Sequence, residues 1–161
     1  MQPSHSYCPK CGNTIQLVDF EQKKILQCQS CHSDYYFDPK VSAVCVLTTD
    51  HRVLLIKRGN EPGYGKWSLP GGYVDRYEIV EEAVAREILE EVGLQIKNVE
   101  LIGVYSSNDS PVIVVAYLAK GFLGDVNTNC EVLDSGYFAL DELPELAFPR
   151  DEEIIRIAMK S

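Results

Sequence analysis

The chain has 161 residues, 45% hydrophobic and 24% charged, with 11 Gly and 8 Pro, which fits one ordinary folded domain with a small appendage and excludes low-complexity and collagen-like chains. Its formal net charge is −9, with +2 up to Gly72 and −11 from Tyr73 onward, a balance that disfavours nucleic-acid binding through a broad basic surface. The longest apolar runs, Val41 to Leu47 and Val112 to Ala119, fall far short of the ~18 residues of a membrane span and read as buried strands. The first fifteen residues, with Pro3, Ser4, His5 and Cys8, lack the apolar stretch of a secretory signal. A cytoplasmic protein with no membrane partner is the expectation.

Four of the six cysteines form two Cys-x-x-Cys pairs, Cys8 with Cys11 and Cys28 with Cys31, separated by sixteen residues. That spacing suits a four-cysteine Zn²⁺ site, in which each tight turn points two thiolates at one ion and no coordination position is left for a substrate. The zinc would be structural. Thr14 to Val18, Lys24 to Gln27 and Ser33 to Phe37 read as short strands, giving a zinc ribbon over residues 1–39, too small for a self-sufficient core without metal. Two disulfides in a secreted protein, or a redox pair, are the alternatives. Nucleic-acid binding by the ribbon is disfavoured, since three lysines face four acids over residues 1–39. Tyr7, Phe20, Tyr35, Tyr36 and Phe37 read as its small core and docking surface, and Cys45 and Cys130 as unpaired packing residues.

From Val41 the text becomes strand-like, with Val41 to Leu47, a turn at Thr48 to His51, and Val53 to Lys57 suggesting a hairpin. A loop follows over Gly59 to Gly65. After Trp67 to Gly72 comes a helix from about Ile79 to Val92, stopped by Gly93. At ~100° per residue, Glu87, Glu90 and Glu91 border the apolar stripe of Val80, Ala83, Val84 and Ile88 rather than lying opposite it. A solvated charged face would alternate signs at i,i+4 spacing, and only Arg86 does so here. Carboxylates one helical turn apart beside a core instead converge on a hard divalent cation, which offsets their repulsion.

Gly72, Glu78 after five residues, and after seven more Arg86-Glu87-Ile88-Leu89-Glu90-Glu91-Val92-Gly93-Leu94 match every fixed position of the Nudix box, G-x5-E-x7-R-E-U-x-E-E-x-G-U with U aliphatic. Leu54 to Arg58, Lys66 to Gly72, Gly136-Tyr137-Phe138 and Asp141 to Pro144 also resemble that family, so residues 40–161 are identified as a Nudix domain. The resemblance implies an α+β fold, an α/β/α sandwich with a mixed sheet, preceded here by the ribbon. It further implies hydrolysis of a nucleoside diphosphate linked to another moiety, with Mg²⁺ or Mn²⁺ on Glu87, Glu90, Glu91 and the Gly72 carbonyl. Glu87 is a further ligand or the general base, and Arg86 orients the glutamates. Glu131, ahead of the late aromatic-Phe pair, is the candidate metal ligand or base from outside the box, with Asp134 second. Arg58 and Trp67 are the candidate substrate contacts.

Tyr105 to Pro111 lacks the Ser-Gln-Pro-Trp motif of NADH pyrophosphatases with zinc ribbons, and the short ribbon resembles ADP-ribose and FAD pyrophosphatases instead. ADP-ribose, FAD or a similar dinucleotide is the expected substrate. NADH, an oxidised nucleoside triphosphate, or a non-catalytic ligand sensor are the alternatives. Many members of the family are homodimers, and the resemblance carries that expectation too.

Overall fold

The computed structural model describes residues 7–36 and 38–160; the stretch 1–6, Phe37 and Ser161 lie outside the described residues, and so do the parts of the signal, strand and aromatic readings that rest on them. The chain divides into two compact units, Met1–Pro39 and Lys40–Ser161.

The first unit is a three-stranded antiparallel sheet of β1 (Ile15–Phe20), β2 (Lys23–Cys28) and β3 (Asp34–Tyr35), with β2 central. Its two Cys-x-x-Cys turns repeat one backbone pattern. Gly12 N–H donates to the Cys8 carbonyl at 2.8 Å, and His32 N–H to the Cys28 carbonyl at 3.0 Å. Both Gly12 and His32 have positive φ, 74° and 54°. Of the aromatics expected to form its small core and docking surface, Tyr35 is half-buried. Tyr7, Phe20 and Tyr36 are exposed, and the buried side chains are Cys8, Ile25, Leu26 and Cys28. So small a sheet covers only its central strand and its cysteine cluster, which leaves edge and terminal aromatics in solvent.

The second unit runs, in chain order, β4 (Lys40–Val46), β5 (Thr48–Thr49), β6 (Arg52–Arg58), β7 (Trp67–Ser68), β8 (Gly71–Tyr73), α1 (Val80–Val92), β9 (Gln95–Ile96), β10 (Val99–Ser107), β11 (Ser110–Ala119), β12 (Phe122–Leu123), β13 (Val132–Phe138) and α2 (Pro149–Ala158). One sheet has the order β10-β11-β4-β8, in which β11 and β4 are parallel and the other pairs antiparallel. A second has the order β13-β6-β5, with β7 also on β6. The expected hairpin between Val41 to Leu47 and Val53 to Lys57 is therefore corrected. These strands lie in different sheets, and only β5 closes on β6 across Asp50-His51, both at positive φ.

The apolar runs have a plain cause. Along β4, Ala43, Cys45 and Leu47 join one buried cluster while Val44 and Val46 join another; along β6, Leu54 and Ile56 go one way and Val53 and Leu55 the other. Successive side chains of a strand point to opposite faces, so strands covered on both sides must be apolar throughout. Val84, Ile88 and Val92 of α1 fill the first cluster, and Ile154, Ile155 and Ala158 of α2 fill the second. The result is the expected helix–sheet–helix sandwich. No described helix is long and apolar enough to cross a membrane.

Candidate active site

Helix α1 is set in place by its stripe of Ala83, Val84, Ile88 and Val92, all buried, and it ends at Gly93, whose φ of 73° lets its N–H close on the Leu89 carbonyl at 3.0 Å. Packing that stripe turns Glu87 and Glu91 toward β8. Gly71 N–H donates to Glu91 Oε2 at 2.7 Å. The Glu87 carboxylate lies so close to Gly72 that a Cβ there would sit 2.5 and 2.6 Å from its two oxygens. Glycine at this position is a matter of space, not of backbone freedom. Gly71 differs, since its φ is 140° and a Cβ would strike the backbone of Ala43 and Val44 in β4.

Arg86 ties the acids together. Its Nε and Nη2 make a fork to Glu78 at 2.8 and 2.9 Å, while Nη1 donates to Glu87 Oε1 at 2.8 Å and Glu90 Oε2 at 3.1 Å. Bidentate charge-assisted bonds of this kind are strong and directional, and they hold the Glu78 carboxyl down at about 2. Asp75 N–H also donates to Glu78, at 2.9 Å. Glu78 is thus the anchor of the arginine. For Glu87 and Glu91 burial dominates and raises both carboxyls, Glu91 to about 7 even though Gly71 N–H and the Arg58 charge act the other way. Partly buried carboxylates whose desolvation outweighs the positive charge facing them suit a divalent cation.

A cavity of about 490 Å³ opens on this cluster, lined by Gly71, Gly72, Arg86, Glu87, Glu91, Glu131 and Arg58 among others. Of the two candidates ahead of Tyr137, Glu131 is on the wall, whereas Asp134 is exposed and accepts from its neighbour Ser135 N–H at 2.8 Å. Glu90 is more than half exposed and lies outside the lining, though it shares Arg86 Nη1 with Glu87. Arg58 reaches the cavity with its Nε donating to the Pro62 carbonyl at 2.7 Å and Nη2 to Asn60 Oδ1 at 3.0 Å. Trp67 does not line it; its ring meets Phe138 edge-on at 4.8 Å.

The sequence reading placed no element over 149–158 and named none of Phe148, Arg150 and Asp151, all on the cavity wall. Pro149 at the start of a helix with Asp151 and Glu152 in its first turn was the available signal for α2. Nothing in it marks Asp151 as buried, because acids in a first turn ordinarily face solvent. Burial pushes the Asp151 carboxyl up to about 6.

In the first unit the four sulfurs of Cys8, Cys11, Cys28 and Cys31 lie within 4.8 Å of one another, the one group of three or more converging metal-ligand side chains among the described residues. Cys8 and Cys31 Sγ are 3.6 Å apart and Cys11 and Cys28 Sγ 3.5 Å. Tetrahedral Zn–S bonds of ~2.3 Å require S···S edges of roughly 3.8 Å, whereas a disulfide requires ~2.05 Å. The donor set fits zinc. Tyr35 Oη at 3.0 Å from Cys8 Sγ and Asn13 Nδ2 at 3.5 Å from Cys11 Sγ add hydrogen bonds that orient the sulfurs. All six cysteines are free, and Cys130, expected to pack, is exposed.

Comparison with known proteins places these features in a family. A family model described as NUDIX domain matches residues 38–157. An ADP-ribose pyrophosphatase of Methanocaldococcus jannaschii is 40% identical over 129 residues, covering 78% of this chain and 76% of that protein. The NAD-capped RNA hydrolase NudC of Pseudomonas aeruginosa is 32% identical over 146 residues, 89% of this chain, but the chain spans only about half, 51%, of that relative's length. Among solved structures, a NUDIX hydrolase from Nitrosomonas europaea superposes with a TM-score of 0.87 at 30% identity, covering 97% of this chain and 91% of that one.

Proposed function

The chain belongs to the Nudix family, and from that membership we propose that it is a divalent-metal-dependent pyrophosphohydrolase that splits ADP-ribose, FAD or a similar dinucleotide into two monophosphates. The observation that carries this reading is the helix carboxylate set, Glu87 and Glu90 tied by Arg86 and Glu91 held by Gly71 N–H, with Glu87 and Glu91 on the wall of a cavity that also holds Glu131 and Arg58. Its support on the substrate side is the similarity to the ADP-ribose pyrophosphatase.

Mg²⁺ or Mn²⁺ would be held by Glu87, Glu90, Glu91 and the Gly72 carbonyl, where it would neutralise pyrophosphate charge and make water easier to deprotonate. Arg86 keeps the helix carboxylates aimed, and Gly71 N–H fixes Glu91. Arg58 meets a phosphate of the substrate from the opposite charge sign. Glu131 takes the proton of the attacking water as its oxygen bonds to phosphorus. The anhydride P–O bond then breaks and the second monophosphate leaves with that electron pair. Glu87, raised by burial, is the other group able to hold the proton. Residues 1–39 act as a zinc ribbon with Cys8, Cys11, Cys28 and Cys31 as ligands, and residues 40–161 carry the catalysis.

A second reading has its own observation. The NudC relatives align over most of this chain, so an NAD-linked substrate, including NAD at an RNA end, belongs in the same test despite the acidic balance. The experiment is Mg²⁺-dependent phosphate release, coupled to a phosphatase, from ADP-ribose, FAD, NADH, NAD-capped RNA and oxidised dGTP, with Glu90→Gln as control. Preference for ADP-ribose or FAD that disappears in the control supports the proposal. Absence of turnover on every compound overturns it in favour of a non-catalytic ligand sensor.

A further inference from the structure

The cavity wall contributed by the start of α2 holds two polar atoms that the catalytic cluster does not use. Asp151 is 1% exposed, and its Oδ2 accepts from Leu69 N–H at 3.2 Å. Its other oxygen, Oδ1, is buried with no hydrogen-bond partner in the protein. The nearest cationic atom is Arg150 Nε at 3.9 Å, too far for a hydrogen bond, and it too is buried and unpartnered. The Arg150 guanidinium lies over the Phe148 ring at 4.6 Å, and Arg58 lies 5.2 Å from the same ring.

At 3.9 Å the two opposite charges attract, but neither atom makes a hydrogen bond, and a buried acceptor and donor left without one are costly. Native structures pair nearly all such atoms, so two exceptions on one pocket wall call for a reason. The chemistry that satisfies both is a planar edge offering an N–H beside a lone pair. The 6-amino group and adjacent ring nitrogen of adenine form such an edge. ADP-ribose and NAD, named for the two kinds of relatives, share an adenosine diphosphate half.

We propose that Asp151 and Arg150 form the adenine-reading wall of the pocket, Asp151 Oδ1 accepting from the 6-amino group and Arg150 Nε donating to the neighbouring ring nitrogen. The assignment rests on the pyrophosphohydrolase reading and narrows it to adenosine-containing substrates. Arg150 shields Oδ1 in this conformation. Its side chain is 29% exposed, and the assignment includes a rotation of its outer bonds that opens the carboxylate to the base. Asp151 stays fixed because Leu69 N–H and the first turn of α2 hold it.

The test measures binding without anhydride cleavage. AMP and purine riboside 5′-monophosphate, which lacks only the 6-amino group, are titrated calorimetrically into the full-length protein. Wild type binds AMP more tightly by about tenfold or more, the discrimination expected of one buried hydrogen bond to a charged group. In Asp151→Ala the two affinities converge, and Arg150→Ala weakens AMP while leaving the fold, read by circular dichroism, unchanged. Equal affinities in wild type, no binding of either nucleotide, or a gap that survives in Asp151→Ala overturns the assignment. The wild-type comparison decides even if Asp151→Ala fails to fold. Hydrolysis of ADP-ribose is measured separately. Turnover without discrimination leaves the enzyme reading standing and removes this one; discrimination without turnover does the reverse.

Discussion

Gly72 bears directly on the proposed catalytic geometry. Its backbone is ordinary, so alanine is tolerated by φ and ψ, but a Cβ would occupy the place of the Glu87 carboxylate. Gly72→Ala should therefore fold normally and lose on the order of 100-fold or more in kcat, because displacing a catalytic group by about 1 Å costs that much. Near-normal kcat with an unchanged melting temperature would show that Glu87 is not needed where it stands. Glu91 makes a pH prediction. Its carboxyl is raised by burial from 4.5 to about 7 in the folded protein, so between these values the folded state holds a proton that the unfolded state has released. In metal-free protein this group's contribution is thus greatest below pH ~4.5 and declines as pH rises to ~7. With EDTA present, Glu91→Gln should equal wild type at acidic pH and exceed it at pH 8, by on the order of 3 kcal/mol at most. Added Mg²⁺ should narrow the gap at pH 8 by restoring the wild type. Denaturant melts at pH 4.5 and 8 check both points, and a variant less stable than wild type at pH 8 without metal contradicts them.

At the scale of elements, helix α1 and its stop at Gly93 are written in the order of apolar residues, because an amphipathic stripe has a period that single residues reveal. Strands β4 and β6 were legible as strands but not in their partners. Unbroken apolar runs such as Ala43 to Leu47 and Val53 to Ile56 say that both faces are covered and nothing about which neighbour is hydrogen-bonded. Only β5 folds back on β6, through the tight turn at Asp50-His51, whose residues have φ of 48° and 60°, values that suit Asn-Gly better than Asp-His. Asp50→Asn with His51→Gly should raise stability by roughly 1 kcal/mol, seen as a shift in the denaturant midpoint, with no change in activity. The ribbon's turns make a complementary prediction. Purified protein should carry about one zinc per chain, and Cys28→Ser should release it and unfold the strands of residues 1–39, since so short a segment takes its folding energy from the metal. Elemental analysis that finds no zinc in wild type removes this claim.

Across the whole molecule, function depends on bringing distant segments to one cavity. Glu87 and Glu91 come from α1, Gly72 from β8, Arg58 from the end of β6, Glu131 from the entry to β13 and Asp151 from α2. The sequence by itself determined the box glutamates, Arg86, the cysteine quartet and the helix that carries the box, because these are local patterns whose spacing encodes a turn or a helical face. Glu131 was indicated through the family resemblance, as an acid ahead of the pair Tyr137-Phe138. Only the tertiary structure decided that Trp67 packs on Phe138 away from the cavity, that Glu131 and not Asp134 reaches the wall, and that Asp151 is buried with an open oxygen. The reason is physical: whether an aromatic ring stacks or packs, and whether an acid is solvated or buried, depends on which elements cover it. That covering is set by strand order and helix docking between residues as far apart in the chain as Leu69 and Asp151, contacts that no local period records.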